Sequence, residues 1–327
     1  MKKRKKIIRI ITNIFLILIS LLAIGIIIYG LIKPDKFFES LDNGIYKVLK
    51  VHVFGDTNKR INNNKIIPIA KNKDYSNSIM NIYYELLNDK EKEIYNSILT
   101  SLNNYDEGTK IPNNLKIDEL KNVYHSILYD HPEIFWVDIN FNVSKTNDET
   151  KIIFVYKIEK DKIDDTKKII NEEIDKILIE AKKIELDYEK ELYVHDKLSD
   201  LVSYDSSLYN DQSIYNLFIN KKSVCTGYAK AFQLIMTKLG IPTYSITGYS
   251  NENHVWNIVE LEDGFYNVDL TWDDQYEQRI YKYFNISDEM INEDHKKDDI
   301  SSKIKYNNGT KYINTYSSLY EEWQKNK

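Results

Sequence analysis

The pattern of apolar and polar positions divides the chain into three regions. Residues 10–32 carry no charged side chain and are predominantly apolar. Between about residues 88 and 202, apolar residues recur three and four positions apart, which is typical of amphipathic helices. The last third holds one more helical segment, followed by short runs of alternating apolar and polar residues that predict strands. Helices followed by neighbouring strands indicate an α+β fold.

The middle region is predicted to be a mainly helical subdomain with one hairpin. Asn88 and Glu91 have the spacing of a capping box, and Pro132 is expected to end the second helix. The predicted helices are "DKEKEIYNSILTSL", Asp118–Tyr129, a long helix that opens at Asp164 or Asp165 with Ile169, Ile170, Ile174, Ile177 and Leu178 inward, and "YEKELYVHDKLSDLV". The alternating segments "IFWVDINFNV" and "TKIIFVYKI" predict two strands joined through "KTNDE".

The last region predicts a helix packed on an antiparallel sheet. "VCTGYAKAFQLIMTKL" has helical spacing, and Gly240 and Pro242 end it. Strands are predicted for "TYSITGY", "HVWNIVEL" and "FYNVDLTW", the last two joined around Asp263–Gly264. Alternation in the third strand places Tyr266, Val268, Leu270 and Trp272 on the core face, and Asn267, Asp269 and Thr271 on the opposite face.

The apolar run near the N-terminus is about as long as a bilayer-spanning helix. The flank before it, residues 1–9, is basic and contains Lys2, Lys3, Arg4, Lys5, Lys6 and Arg9. We expect a single-pass membrane anchor at residues 10–32, with the basic flank in the cytoplasm and the rest of the chain outside. The alternative is a cleaved signal peptide, whose apolar region is usually shorter. Residues 33–75 are predicted to form a membrane-proximal strand and a linker.

Composition narrows the classes of function. The chain has 327 residues, a formal net charge of −5 and a single cysteine, Cys225. The mild negative charge gives no reason to expect nucleic acid as a partner. A disulfide framework within the chain is excluded, because one thiol has no partner.

Cys225 stands at the start of the predicted helix of the last region. A thiol attacks carbonyls as the thiolate, and both a helix N-terminus and a neighbouring histidine favour that form. Gly227 and Ala229 follow it and would let the sheet and a substrate approach closely. The alternative is that Cys225 is a small buried hydrophobic residue.

His254 is the candidate base among six histidines, because it opens a strand shortly after the cysteine helix. Trp256 beside it could wall the site off from water. A histidine base needs an orienting acceptor, for which Asp269 on the next strand is a candidate. A two-residue turn at Asp263–Gly264 would instead place Asp273 opposite His254, and a bulge or longer loop would change that register.

The chain resembles the transglutaminase-like superfamily of papain-fold enzymes in "KKSVCTGYAKAFQLIMTKLGIPTYSITGY" and "NHVWNIVELEDGFYNVDLTWDD". The cysteine block, the "HVWN" block and the "VDLTWDD" block match in order and at ordinary spacing. It is most similar to the bacterial membrane-anchored and secreted branch. The resemblance is strong over Leu192–Asp274. It extends weakly upstream through "NIYYELLNDKEKEIYNSIL" and "ILYDHPEIFW", and downstream through "YFNISDEMINEDH". It implies a papain-like catalytic core at residues 191–300, after the subdomain at 76–190 and before a C-terminal tail at 301–327.

The same resemblance implies Cys225 as nucleophile, His254 as base and Asp269 as orienting acid, and so favours Asp269 over Asp273. It implies an oxyanion site that combines the backbone N–H of the nucleophile with an upstream donor. Tyr204 is the candidate donor, and the alternative is a packed tyrosine. The sequence has no EF-hand-like loop. We expect neither a cofactor nor a metal.

The implied chemistry is acyl transfer or amide hydrolysis through a thioester, on protein or peptide substrates, with cell-wall peptide among the candidates. An amine resolves the thioester by transamidation, and water resolves it by hydrolysis. Two alternatives stay open. One is a cysteine peptidase in the narrow sense, and the other is a non-catalytic binding module that retains the fold.

The expected topology can be tested on intact cells that express the chain. An external protease should degrade the part that follows Lys33, because the basic flank keeps the N-terminus in the cytoplasm. Immunoblotting against that part gives the result. Its survival in sealed cells, with degradation only after lysis, would contradict the predicted orientation.

Overall fold

The order of helices and strands follows the prediction, with several additions. The structure is a computed structural model that describes residues 67–68, 81–146, 149–208, 211–275 and 278–314. These residues belong to one compact unit, Lys59–Lys327. The predicted membrane span at residues 10–32 and its basic flank lie outside the described residues. Within those ranges, no helix combines the length and the apolar character needed to cross a bilayer.

Five helices occupy the middle region. They are α1 (Ile82–Glu85), α2 (Asp89–Asn103), α3 (Ile117–Asp130), α4 (Ile163–Ala181) and α5 (Asp187–Leu201). The predicted capping box of α2 is confirmed: the Asn88 side chain accepts from the Glu91 N–H at 3.0 Å, and the Glu91 carboxylate accepts from the Asn88 N–H at 2.9 Å. The inward position predicted for Ile169 is wrong, because this residue lies one step off the apolar stripe of α4 and is 50% exposed.

A three-stranded antiparallel sheet accompanies these helices, in the order β2-β4-β3. The predicted hairpin is formed by β3 (Val137–Lys145) and β4 (Thr150–Tyr156). The additional strand, β2 (Gly108–Ile111), escapes prediction because four residues with one buried side chain show too little alternation. A further short strand, β1 (Ile67–Pro68), pairs in parallel with β13 (Ile304–Lys305) near the end of the described chain.

Short elements lead into the helix that carries Cys225. Strand β5 (Ser203–Tyr204) pairs in parallel with β6 (Lys222–Ser223), and α6 (Ile214–Asn220) lies between them in the chain. The next helix, α7, runs from Cys225 to Lys238. Gly240, at a φ of 82°, takes the left-handed conformation that ends a helix, as its place in the sequence predicts.

The helix α7 (Cys225–Lys238) is buried on all sides from Thr226 to Met236. Polar bonds fix it to the strands that follow: the Asn257 side chain donates to the Ala229 carbonyl oxygen at 3.0 Å, and the Ser245 N–H donates to the Gln233 side chain at 3.0 Å. A helix held by both packing and polar bonds cannot slide or rotate freely. The position of Cys225 at its N-terminus is therefore well defined.

Gly227 serves the packing of α7 against the elements that precede it, and its predicted role in admitting a substrate stays a prediction. A Cβ atom at this position would lie 2.0 Å from the Ser223 Oγ atom and 3.0 Å from the Ser213 carbonyl oxygen. The missing side chain lets β6 and the start of α6 pack against the helix. Ala229 does lie against the sheet, through its bond to Asn257.

The main sheet is antiparallel and has the order β12-β7-β8-β9. Its strands are β7 (Thr243–Ser250), β8 (Glu252–Leu261), β9 (Gly264–Val268) and β12 (Lys296–Lys297). Both faces are covered. Val259, Tyr266 and Val268 belong to the main hydrophobic core with α7, whereas Trp256 and Ile258 belong to a second cluster. The second cluster takes Tyr283, Ile286, Ile291 and Ile304 from the end of the described chain.

The remaining elements are short. They comprise α8 (Leu270–Asp273), β10 (Asp274–Gln275), β11 (Gln278–Arg279) and α9 (Asp288–Ile291), with 3₁₀ turns at Lys160–Lys162, Ser206–Leu208 and Ser301–Lys303. Side chains from the chain after β9, among them Tyr283, Ile286, Ile291 and Ile304, cover the second face of the main sheet.

The third predicted strand is wrong beyond Val268, where β9 ends and α8 follows. Asp269 is the N-cap of α8. Its side chain accepts from the backbone N–H groups of Thr271 at 3.0 Å and Trp272 at 3.2 Å. A carboxylate that binds the backbone two and three residues ahead turns the chain out of the extended conformation. The predicted alternation therefore stops at Val268.

Candidate active site

Cys225 is the first residue of α7, and Val224 is the N-cap. The valine side chain offers no cap to the N–H groups of the first turn. The thiol is half-buried, and its Sγ atom lies 4.0 Å from the Thr226 hydroxyl oxygen. Partial exposure at the positive end of a helix suits a reactive thiol better than an inert core residue.

His254 links the cysteine to the carboxylate of Asp269. It lies near the start of β8, opposite Gly248 of β7. Its Nε2 atom is 2.6 Å from the Asp269 Oδ2 atom, and the ring also lies beside Cys225, which contributes to raising the pKa of His254. Since Nε2 faces the carboxylate, Nδ1 is the ring atom left for the thiol. The structure thus brings the three predicted residues together.

Asp269 is 1% exposed, and its carboxylate accepts four hydrogen bonds. Oδ1 takes the two backbone N–H groups that cap α8, and Oδ2 lies 2.6 Å from His254 Nε2 and 2.9 Å from His295 Nε2. A buried carboxylate stays ionised when such donors replace the lost water. The arrangement fixes the position of both oxygens.

Charge pairing sets the protonation of this cluster. Burial alone lowers the pKa of His254, but the charge of Asp269 and its hydrogen bond, with smaller contributions from Cys225, raise it to about 10. Burial raises the pKa of Asp269, but the charge and hydrogen bond of His254, and then His295, outweigh burial and hold that pKa below its ordinary range. At neutral pH an imidazolium therefore stands beside a carboxylate.

Asp273, the alternative acid, pairs with a different histidine. Its Oδ2 atom is 3.3 Å from His195 Nε2, and its Oδ1 atom accepts from the Tyr283 N–H at 2.9 Å. The turn also differs from the one that favoured Asp273. Leu261 pairs with Gly264, so the two turn residues are Glu262 and Asp263, one position earlier than the predicted turn at Asp263–Gly264. In addition, β9 ends before it could reach the level of His254.

Trp256 lies two residues after His254 on β8, and the two rings stack with their centroids 6.3 Å apart. The indole N–H donates to the Asn267 side chain at 3.0 Å. The indole lies across β7, where a Cβ atom at Gly248 would come within 2.7 Å of it. Trp256 therefore borders His254, as a wall of the site must.

Tyr204, the candidate oxyanion donor, pairs in β5 with Ser223, which precedes Cys225 by two residues. Its side chain is 44% exposed, which does not fit the alternative of a packed core tyrosine. The pairing of β5 with β6 thus brings Tyr204 beside the segment that leads into Cys225. The role of Tyr204 as an oxyanion donor stays a prediction.

Sequence reasoning misses a second histidine at the site. His295 lies between α9 and β12 with a fully buried side chain, and it contacts Asp269 from a position 26 residues further along the chain. No spacing rule predicts such a contact. The available signal was the segment "YFNISDEMINEDH", which ends at this histidine and extends the resemblance downstream.

Three of these side chains have ligand atoms close enough to hold a metal ion. The nitrogen and oxygen atoms of His254, Asp269 and His295 all lie within 4.8 Å of one another. Both histidine Nε2 atoms, however, face the same carboxylate oxygen at hydrogen-bond distance. An ion would have to replace both bonds, so the cluster is complete as a hydrogen-bonded unit.

A comparison with known protein families finds a match in the region that contains the candidate triad. Residues 178–270 match the family model described as the transglutaminase-like superfamily. The matched segment contains Cys225, His254 and Asp269 and ends before His295. The resemblance to the transglutaminase-like superfamily predicted from the sequence is thereby confirmed for this segment. No curated protein matches the chain significantly.

Two solved structures are similar to part of the chain. One is a TGase, at 14% identity over 41% of this chain and 44% of that one, with a TM-score of 0.30. The other is a candidate cysteine protease from Cytophaga hutchinsonii, at 17% identity over 40% of this chain and 61% of that one, with a TM-score of 0.26. The chain spans less than two thirds of the length of each.

The ion pair of His254 predicts a specific dependence of stability on pH. Its pKa is about 10 in the folded chain and 6.5 ordinarily. The stabilisation that this ion pair gives to the folded chain is therefore complete below about pH 6.5. It declines once His254 is neutral in the unfolded chain, and it is lost as the pH rises through about 10. His254→Gln should cost more free energy of unfolding at pH 6 than at pH 10, by at least about 1 kcal/mol, measured by urea unfolding.

His125→Gln is the matched control for that comparison. Burial lowers the pKa of His125 to about 4, so this histidine is neutral in the folded chain. The loss of free energy of unfolding in His125→Gln should not become smaller as the pH rises. A cost for His254→Gln that is independent of pH would contradict the ion pair.

Proposed function

We propose that the protein is a thiol-dependent acyltransferase or amidohydrolase in which Cys225, His254 and Asp269 form a catalytic triad. One observation carries the proposal: a partly exposed thiol at a helix N-terminus lies beside a histidine whose Nε2 atom binds a buried carboxylate. The match of residues 178–270 to the transglutaminase-like superfamily supports the same class of chemistry.

The first step forms a thioester. The Cys225 thiolate attacks the carbonyl carbon of an amide, and its electron pair forms the C–S bond while the carbonyl π electrons move to oxygen. The tetrahedral intermediate collapses as the C–N bond breaks, and the His254 imidazolium gives its proton to the departing amine. Asp269 keeps the imidazole oriented and stabilises its cation.

The second step releases the acyl group. A primary amine or a water molecule attacks the thioester, neutral His254 takes a proton from it, and the thiolate leaves. An amine gives transamidation, and water gives hydrolysis. Protein or peptide substrates, including cell-wall peptide, fit either outcome, and hydrolysis of peptide bonds alone would make the protein a cysteine peptidase.

Negative charge on the intermediate oxygen is the main electrostatic demand of both steps. The N-terminal N–H groups of α7, starting with that of Cys225, are the donors that we assign to it, because Val224 provides no side-chain cap. Tyr204 is the proposed second donor, supported by its exposure and by its pairing with Ser223.

We place this chemistry outside the cytoplasm, with the domain tethered by residues 10–32. The support is the uncharged apolar run and its basic flank in the sequence. A membrane protein of this topology would meet cell-surface proteins and wall peptides as substrates.

The reaction class can be tested with two assays on the full-length chain. Incorporation of a fluorescent primary amine into casein measures transamidation, and cleavage of casein and cell-wall peptides measures hydrolysis. Cys225→Ala should abolish both activities with little loss of thermal stability, since a half-exposed thiol leaves little cavity. A different outcome would favour the binding module: wild type shows no turnover, and wild type and Cys225→Ala bind the same peptides.

The pairing of thiol and histidine can be tested without a substrate, by iodoacetamide alkylation of Cys225 across pH. An adjacent imidazolium stabilises the thiolate, so wild type should reach half its maximal rate at a lower pH than His254→Ala. The His254→Ala value should approach roughly 8.5, as for a free cysteine. Identical profiles would refute the triad at its first step.

The two neighbouring acids provide a matched comparison in the same assays. Asp269→Asn should leave a thiol that still alkylates but turns over slowly, because the histidine loses its orienting charge. Asp273→Asn, four residues further on, should affect turnover much less, because Asp273 binds His195 instead.

A further inference from the structure

Two histidines share one oxygen of the buried carboxylate at the centre of the site. The Asp269 Oδ2 atom lies 2.6 Å from His254 Nε2 and 2.9 Å from His295 Nε2. The two imidazole rings are 5.3 Å apart, and all three side chains are nearly or fully buried. The proposed triad assigns His254 and Asp269 but gives His295 no part.

His295 is held firmly in this position. Its Nδ1 atom is 2.6 Å from the Asp294 Oδ1 atom, so each ring nitrogen faces a carboxylate oxygen. The ring packs among Trp256, Trp272 and Tyr283, with centroids 5.2, 4.9 and 5.4 Å away. A ring with an acceptor at each nitrogen and aromatic neighbours cannot turn away from Asp269. Its N–H donation to Oδ2 is therefore a permanent feature of the site.

Sharing an acceptor has a direct energetic consequence. A carboxylate oxygen that accepts a second charge-assisted bond has less negative charge to offer the first donor. His295 must therefore weaken the hold of Asp269 on the proton of His254. In the thioester-forming step, that proton has to leave His254 for the departing amine, and too firm a hold slows the transfer.

We propose that His295 is a positioning residue that acts through Asp269: by sharing Oδ2 with His254, it sets how firmly His254 holds the proton that it gives to the leaving group. This inference rests on the proposed function. His295 does not touch the thiol or the substrate in this scheme. It extends the row of interacting side chains to four residues, in the order Cys225, His254, Asp269 and His295.

Other charged and titratable groups face this cluster from the surrounding elements and must be held constant in any test. Tyr283 donates to Asp294 at 2.6 Å, and Lys282 lies 3.6 Å from the same carboxylate. Among the described residues, the set around the two histidines consists of Cys225 on α7, Asp269 and Asp273 at α8, Lys282 and Tyr283 after β11, and Asp294 before β12.

The test is NMR of the full-length chain labelled with ¹⁵N-histidine, which has only six histidines to assign. In His295→Met, which removes the donor, the His254 ring N–H proton should move to lower field. The titration midpoint of His254 should also rise by about one pH unit, the size of one charge-assisted hydrogen bond. His295→Gln, of similar shape but with a donating amide, should return both values toward wild type.

His195→Gln is the matched control, because His195 is also buried with each ring nitrogen near a carboxylate, Asp196 at 3.2 Å and Asp273 at 3.3 Å. It should leave the His254 signals unchanged. A midpoint that is unchanged or lowered in His295→Met would overturn the inference, as would equal effects of His295→Met and His295→Gln or the same rise in His195→Gln. His295→Leu replaces His295→Met if the latter does not fold.

Turnover separates this inference from the proposed function. His295→Met should lower kcat about ten-fold, in proportion to a shift of one pH unit, with KM unchanged because His295 does not contact substrate. If wild type and His254→Ala alkylate identically, the proposed function fails. If they differ while His295→Met leaves both kcat and the His254 signals as in wild type, the role of His295 fails alone.

Discussion

The site depends on the need to satisfy one buried negative charge. The Asp269 carboxylate is almost inaccessible to water, and an ionised group in such a place is tolerated only with a full set of donors. Two backbone N–H groups of α8 supply half of them and two histidines the other half. The same bonds end β9, start α8 and fix the ring of His254. The hydrogen bonds of this one carboxylate thus determine both the path of the chain after β9 and the orientation of the His254 ring.

Much of the fold can be predicted from periodicity, because long helices and paired strands leave strong patterns. The capping box of α2, the end of α7 at Gly240 and the hairpin of β3 and β4 are examples. Short elements such as β2 and α6 are missed, since a few residues carry little pattern. The strand predicted through Trp272 fails because the side-chain bonds of Asp269 to the backbone override alternation. An acid directly before the first turn of a helix is a typical N-cap.

The candidate site could be predicted in part for a related reason. Cys225 and His254 stand at the ends of elements that the pattern identifies, so their order in the chain suggests a pair. The choice of Asp269 over Asp273 depended on a turn whose register periodicity does not determine. His295 could not be predicted, because its contact with Asp269 arises when the segment after β9 folds over the second face of the sheet. That segment lies beyond residues 178–270, so the transglutaminase-like segment relies on later residues to cover and complete its site.

The half-exposed position of Cys225 has a consequence for how the protein withstands oxidants. A reactive thiol that meets peroxide becomes a sulfenic acid, which many proteins rescue by forming a disulfide with a second cysteine nearby. This chain has no second cysteine. Under the proposed function, an oxidised Cys225 can therefore be recovered only by a thiol from another molecule, and further oxidation to the sulfinic acid would end turnover permanently. The working life of the protein is thus coupled to the thiol supply of its surroundings.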